Sequence, residues 1–189
     1  MLLHKGTQRL ETDRLILRRA ARGDAVPMFN NWASDANVTA YLTWPTYEKI
    51  DTAYQILDQW IKEYEKSNYY QWMIVLKEID EPIGSISVVR QNDSVEEAEI
   101  GYCIGSRWWH RGIVSEALAA VIKYLFTEVG MNRISARHDP NNPHSGGVMR
   151  KCGMTFEGIH RSADRNNQGI CDAAQYAILK MDWEQNKEL

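Results

Sequence analysis

Cysteine is scarce and scattered. Cys103, Cys152 and Cys171 are the only three in 189 residues, and no two form a Cys-x-x-Cys pair. That spacing speaks against a zinc ribbon or a disulfide framework and suits reduced thiols in a cytoplasmic protein. No apolar run approaches the roughly 20 residues that cross a bilayer, and Met1-Leu2-Leu3-His4-Lys5-Gly6 lacks the apolar core of a secretion signal. Basic charge is not in excess either. Lys and Arg total 22 against 25 Asp and Glu, a formal net charge of −3, which argues against nucleic-acid or anionic-membrane partners. His138, Asp139 and His144 match no zinc pattern, so no metal is expected. Repeats, low-complexity tracts and linkers are absent. With 44% hydrophobic residues the chain can bury a core, and its length predicts one domain over 1–189.

What is present centres on Trp108-Trp109-His110-Arg111-Gly112-Ile113-Val114-Ser115-Glu116-Ala117. Downstream, Ile113, Val114, Ala117, Leu118, Val121, Ile122, Leu125 and Phe126 recur as a doublet every four positions, the stripe of an amphipathic helix, and Gly130 supplies a stop. Upstream, Ala98 to Ile104 reads as a strand. Strand, glycine-bearing basic loop and helix in that order favour anion binding. The first N–H groups of a helix lack internal partners and sit at the positive end of its dipole. Gly112 lets the backbone come close to a ligand, while Arg111, with His110 when protonated, adds charge. A phosphate or diphosphate is the natural guest; an ordinary helix start that happens to hold a glycine is the alternative reading.

Elsewhere, Leu10 to Arg19 predicts a strand, Asp24 caps a helix carrying Val26, Met28, Phe29 and Trp32, and Asn37 to Pro45 is irregular and aromatic. Thr46 is expected to cap a longer helix through Tyr64, with Trp44, Trp60 and Tyr64 mostly in the core. Three strands follow in an antiparallel meander around Trp72–Leu76, Ile83–Val89 and Glu99. Arg133–His138 predicts another strand, His144 to Cys152 a short helix, and Phe156–Gly158 with Cys171–Met181 the last strands. The tally predicts an α/β fold: one mixed sheet with helices on both faces.

The runs Ala98-Glu99-Ile100-Gly101-Tyr102, Trp109 to Ala117, Asn142-Pro143-His144-Ser145, Lys151-Cys152-Gly153-Met154 and Glu157-Gly158 together resemble the GNAT acetyltransferase superfamily. Glu11-Thr12-Asp13-Arg14-Leu15 and Asp172 to Leu179 resemble its ribosomal-protein-alanine N-acetyltransferase branch, so the likeness spans nearly the whole chain. It implies a mostly antiparallel sheet with one splayed parallel strand pair, acetyl-CoA as donor and a primary amine as acceptor. His110, Arg111, Gly112, Ile113, Val114 and Ser115 would then hold the diphosphate. Val114 departs from the family pattern, which keeps a small residue there. Main-chain groups of Cys103, Ile104 and Gly105 would meet the pantetheine amides like an added strand, and Asn142 would bond the same arm. The resemblance also allows a homodimer.

Acetyl transfer needs a neutral amine, a polarised carbonyl and a leaving thiolate. Amines with pKa near about 8 to 10 are mostly protonated at neutral pH, and a nearby carboxylate can take that proton. Glu99 occupies the strand position where several family members keep this base, in a setting that Ala98 and Ile100 make apolar; a structural hydrogen bond is the other reading. Ser145 matches the branch's hydroxyl donor to the thiolate, or else caps its own helix. Tyr41 and Trp44 are candidates to line the acceptor site. The acceptor itself stays open between a protein N-terminus and a small amine such as a polyamine or antibiotic. A non-catalytic acetyl-CoA sensor is a further alternative. A P-loop NTPase is disfavoured, since no Gly-Lys-Ser/Thr follows Gly112. The pair Gly146-Gly147 inside a helix has no explanation at this level.

Overall fold

A computed structural model describes residues 2–185; Met1, the first residue of the stretch read for a secretion signal, and residues 186–189 lie outside the described part. Among the described residues the elements run β1 (Leu10–Glu11), β2 (Leu15–Arg18), α1 (Ala25–Met28), α2 (Ala36–Thr39), α3 (Ile50–Glu63), β3 (Gln71–Leu76), β4 (Glu81–Asn92) and β5 (Glu97–Ile104). They continue with α4 (Ile113–Tyr124), β6 (Arg133–His138), α5 (Pro143–Lys151), β7 (Thr155–Asn166), β8 (Gly169–Leu179) and α6 (Lys180–Gln185). No described helix is long and apolar enough to cross a membrane.

The strands form one eight-stranded sheet in the order β1-β2-β3-β4-β5-β6-β8-β7. The meander's alternation shows how it fills two cores. Trp72, Ile74 and Leu76 of β3 pack beneath α4 with Ile100, Ala117 and Leu118. Met73 and Val75 point the other way, onto Trp32, Ala53 and Leu57 of the N-terminal helices. With both faces covered, every residue of β3 is buried. Each large apolar side chain enclosed this way contributes about 1.5–3 kcal/mol.

Only β5 and β6 run parallel, and they pair at just three positions: Glu97 with Arg133, Ala98 with Ile134, Glu99 with Ser135. Beyond that rung β5 continues to Ile104 and β6 to His138 unpaired with each other. The resulting wedge is the splay that the family resemblance implies.

Two expected helix starts are corrected. α3 begins at Ile50 behind Lys49, which makes no side-chain cap. Thr46 instead shares a 2.6 Å hydrogen bond with Thr39 Oγ1, tying down the aromatic segment. Asp24 does not cap α1. Its carboxylate accepts the Ala21 N–H and both arms of the Arg18 guanidinium, because a charged fork outcompetes a local amide. The stop at Gly130 is present: its φ is 87° and its N–H reaches back to the Leu125 carbonyl in a widened last turn.

Candidate active site

The wedge opens into two cavities that share a wall. The first, about 660 Å³, runs from the wedge along the start of α4. Gly112 is the N-cap of α4, with φ 71° and no side chain to cap the helix. The first helical bond is Glu116 N–H to Gly112 O, so the N–H groups of Ile113, Val114 and Ser115 have no capping partner. All three residues line the cavity. His110 also has positive φ, 60°, an unfavourable conformation for an L-residue by roughly 1–2 kcal/mol. Val114 both lines the cavity and is 8% exposed in the core under the sheet, so its branched side chain turns inward.

Basic side chains gather at the same mouth. His110 and His144 meet edge to face at 4.6 Å, and Lys151 of α5 lies against Gly112. Arg111 is exposed and outside the lining; its carbonyl accepts from Arg14. Gly105 is outside it as well. Its N–H is committed to Ile83 O, and a side chain there would meet Asn31 O and the Trp108 ring. Cys103, Ile104 and Asn142 line the cavity, though the Ile104 carbonyl already accepts from the Trp109 indole at 3.0 Å. Asn142 caps α5 with no side-chain bond to it, which leaves the amide for a ligand.

The second cavity, about 420 Å³, lies across the sheet edge. Glu99 is 8% exposed and lines it. Its setting is ionic where the flanking residues suggest an apolar one. Arg137 Nε is 3.2 Å from Oε1 and Arg90 is 3.6 Å from Oε2. Arg137 also reaches Asp164 at 3.0 Å. Tyr41 and Trp44 form part of the opposite wall. So does Trp60, which also packs, half-buried, against the core of the N-terminal helices as its place in the helical stripe predicts. The tip of the β7–β8 hairpin bears on this wall, since the Asn167 amide donates to the carbonyls of Thr39 and Trp44, both at 2.8 Å.

Six residues line both cavities: Tyr41, Leu42, Tyr102, Cys103, Asn142 and Ser145. Ser145 does not cap its helix; its hydroxyl donates to the Tyr102 hydroxyl at 3.1 Å. Cys152 is no nucleophile. Burial pushes its thiol up to about 11, so it is protonated at neutral pH. Among the described residues no group of three or more His, Cys, Asp or Glu is arranged to hold a metal ion.

A family model described as an acetyltransferase (GNAT) domain matches residues 14–155. The chain belongs to the GNAT acetyltransferase family. It is 32% identical over 171 residues to the uncharacterized N-acetyltransferase YoaA of Bacillus subtilis, covering 90% of this chain and 96% of that one. It is 29% identical over 185 residues to the ribosomal protein uS5 alanine N-acetyltransferase of Escherichia coli, covering 93% and 92%. Among solved structures, the microcin C7 self-immunity acetyltransferase MccE, in complex with acetyl-CoA and AMP, shares the fold. Its TM-score is 0.80 at 22% identity, over 89% of this chain and 93% of that one. The protein is an acetyl-CoA-dependent N-acetyltransferase.

Several residues of this acetyltransferase's candidate site carry no mark in the sequence reading. Tyr102 lies within the Ala98–Ile104 strand, where period-two alternation sets it on the face opposite Glu99, and its contact with Ser145 of α5 comes from the packing. Arg90 stands opposite Glu99 in the β4–β5 register, and Arg137 two residues beyond Glu99's partner on β6. Those juxtapositions need the register, which sequence alone does not supply. Lys151 reaches Gly112 only because α5 packs beside α4.

Proposed function

We propose that this acetyltransferase moves the acetyl group of acetyl-CoA onto a primary amine held in the second cavity. The carrying observation is the shared wall: a donor along the first cavity and an acceptor in the second would meet at Tyr102, Cys103, Asn142 and Ser145. The diphosphate would sit on the uncapped N–H groups of α4. Pantetheine would follow the open edge of β5.

The neutral amine attacks the thioester carbonyl carbon. Negative charge on the carbonyl oxygen is met by a β5 main-chain N–H, the carbon–sulfur bond breaks with its electron pair on sulfur, and the amine's surplus proton passes to Glu99 directly or through water. Ser145 stands where the sulfur departs.

For the acceptor, charge balance favours one class. Arg90, Arg137 and Arg165 face Glu99, Asp139 and Asp164 around the second cavity, three against three. A polycation such as a polyamine needs an acidic excess to offset desolvation of several charges. An amine carrying a single charge does not. A protein N-terminus is such an amine, and the Escherichia coli relative is named for acting on one.

Two measurements test this. Calorimetry should show acetyl-CoA binding and negligible ATP binding; tighter ATP binding overturns the donor assignment. With an acceptor found by screening peptide N-termini and small amines for released thiol, Glu99→Gln should lower kcat/KM more at low pH than at high pH, where more amine is already neutral. A pH-independent loss would reassign Glu99 to structure.

A further inference from the structure

Resting on that reading, we propose that the phenol of Tyr102, held by Ser145, is the donor that faces the departing sulfur. The two hydroxyls are bonded in a fixed sense. Ser145 Oγ–H donates to the Tyr102 oxygen at 3.1 Å, and Tyr102 O–H donates to the Ser145 main-chain carbonyl at 3.0 Å. A serine hydroxyl has one proton, and here the Tyr102 oxygen takes it.

The Tyr102 proton is differently placed. Its acceptor is a carbonyl in the first turn of α5, where α-helical geometry already brings the N–H four residues on. The phenol's bond is a second one to an acceptor served by the helix, and so the easier of the two to give up. When sulfur enters the shared wall, Tyr102 can turn its proton to it while Ser145 keeps hold of the phenolic oxygen. A chain of the form Ser O–H to Tyr O–H to sulfur polarises each link in the same direction. Ser145 is then a positioning residue.

Tyr102 donates a hydrogen bond and keeps its proton. Burial raises its pKa above the ordinary tyrosine value, with the Ser145 bond lowering it less. A coenzyme A thiol of pKa about 8.5 is a stronger acid than any such phenol, so complete transfer to the thiolate runs uphill. The carbon–nitrogen bond forms, the carbon–sulfur bond breaks with its pair on sulfur, and the amine proton goes to the base. The thiolate leaves hydrogen-bonded and is protonated from solvent.

The test needs no acceptor. Thiolate absorbance of bound coenzyme A is titrated, with the desulfo-coenzyme A complex as blank, in wild type, Tyr102→Phe and Ser145→Ala. His110, His144, Lys151 and Cys103 line the first cavity and Cys152 lies near Tyr102; all are identical in the three proteins, so differences report the hydroxyl pair. Wild type should lower the bound thiol's pKa relative to free coenzyme A. Tyr102→Phe should reverse this, with about tenfold less thiolate at a given pH, one pKa unit, while coenzyme A affinity stays within about threefold. Ser145→Ala should keep part of the shift, because the phenol remains.

A Tyr102→Phe titration matching wild type, or a shift lost in Ser145→Ala alone, overturns the proposal. If Tyr102→Phe does not fold, Ser145→Ala decides: a partial shift supports it, a wild-type titration overturns it. Absence of coenzyme A binding by wild type overturns the donor reading itself, and this assignment with it.

Discussion

Gly146 sits one residue past Ser145, in the middle of a helix, where alanine is ordinarily better by up to about 1 kcal/mol. The fold shows why alanine is absent. A Cβ there would lie 2.5 Å from Nε2 and 3.0 Å from Cε1 of His138, whose ring is held by a 2.8 Å bond to the Asp139 carbonyl and lies tilted against Tyr176, ring centres 5.6 Å apart. Overpacking of this kind costs about 1–3 kcal/mol, more than the helix gains. Gly146→Ala should therefore lower Tm, by up to roughly 8 °C, and His138→Ala in the same chain should restore most of the loss, both readable by thermal melts. Gly147 meets nothing closer than Arg150 at 4.0 Å and lines the first cavity, so its missing side chain leaves space for a ligand.

At the scale of elements, α4 is pinned at its N-terminal end, where Gly112 leaves the helix without a side-chain cap. Glu116, in its first turn, accepts from the Thr12 hydroxyl at 2.6 Å, from the Arg14 N–H at 3.0 Å and from Arg14 Nε at 2.7 Å. The Glu11 to Leu15 run that marks the branch thus acts as a bracket for the helix start. Burial raises the Glu116 pKa, but those hydrogen bonds outweigh it and hold the carboxyl below its ordinary 4.5. A depressed carboxylate contributes stability that is present above its unfolded pKa and lost as pH falls through the folded value. Glu116→Ala should cost about 2 kcal/mol at pH 7, and the gap to wild type should narrow in denaturant titrations as pH falls below the ordinary glutamate value and through the lower folded one. The helix and the glycine-led turn at its start were legible from the apolar doublets and from Gly112, because both are local. Thr46 and Asp24 turn out otherwise because each has a partner outside the helix it was expected to cap, Thr39 or Arg18, seven and six residues back, that takes the hydroxyl or carboxylate. Glu99's two guanidiniums were likewise hidden until the register of three strands was known.

Across the whole molecule, the second cavity is assembled from segments far apart in the chain. The β7–β8 hairpin leans over the sheet edge and fastens the aromatic segment through one side chain, Asn167. Two hydrogen bonds of about 0.5–1.5 kcal/mol each hold that contact. Asn167→Ala should raise the acceptor KM several-fold and leave acetyl-CoA affinity unchanged, which steady-state kinetics and calorimetry separate. Equal losses in both would place the hairpin's influence on the whole fold.

The sheet's one parallel junction stops after three rungs. Past it, amides on two neighbouring strands face a gap that the chain never fills with its own backbone. Under the proposed reading the thioester carrier completes that layer as a guest ninth strand, present only while a substrate is being held. Hydrogen exchange along the inner edges of residues 100–104 and 136–138 should then slow when the carrier arrives and quicken when it leaves, so the architecture itself records each turnover.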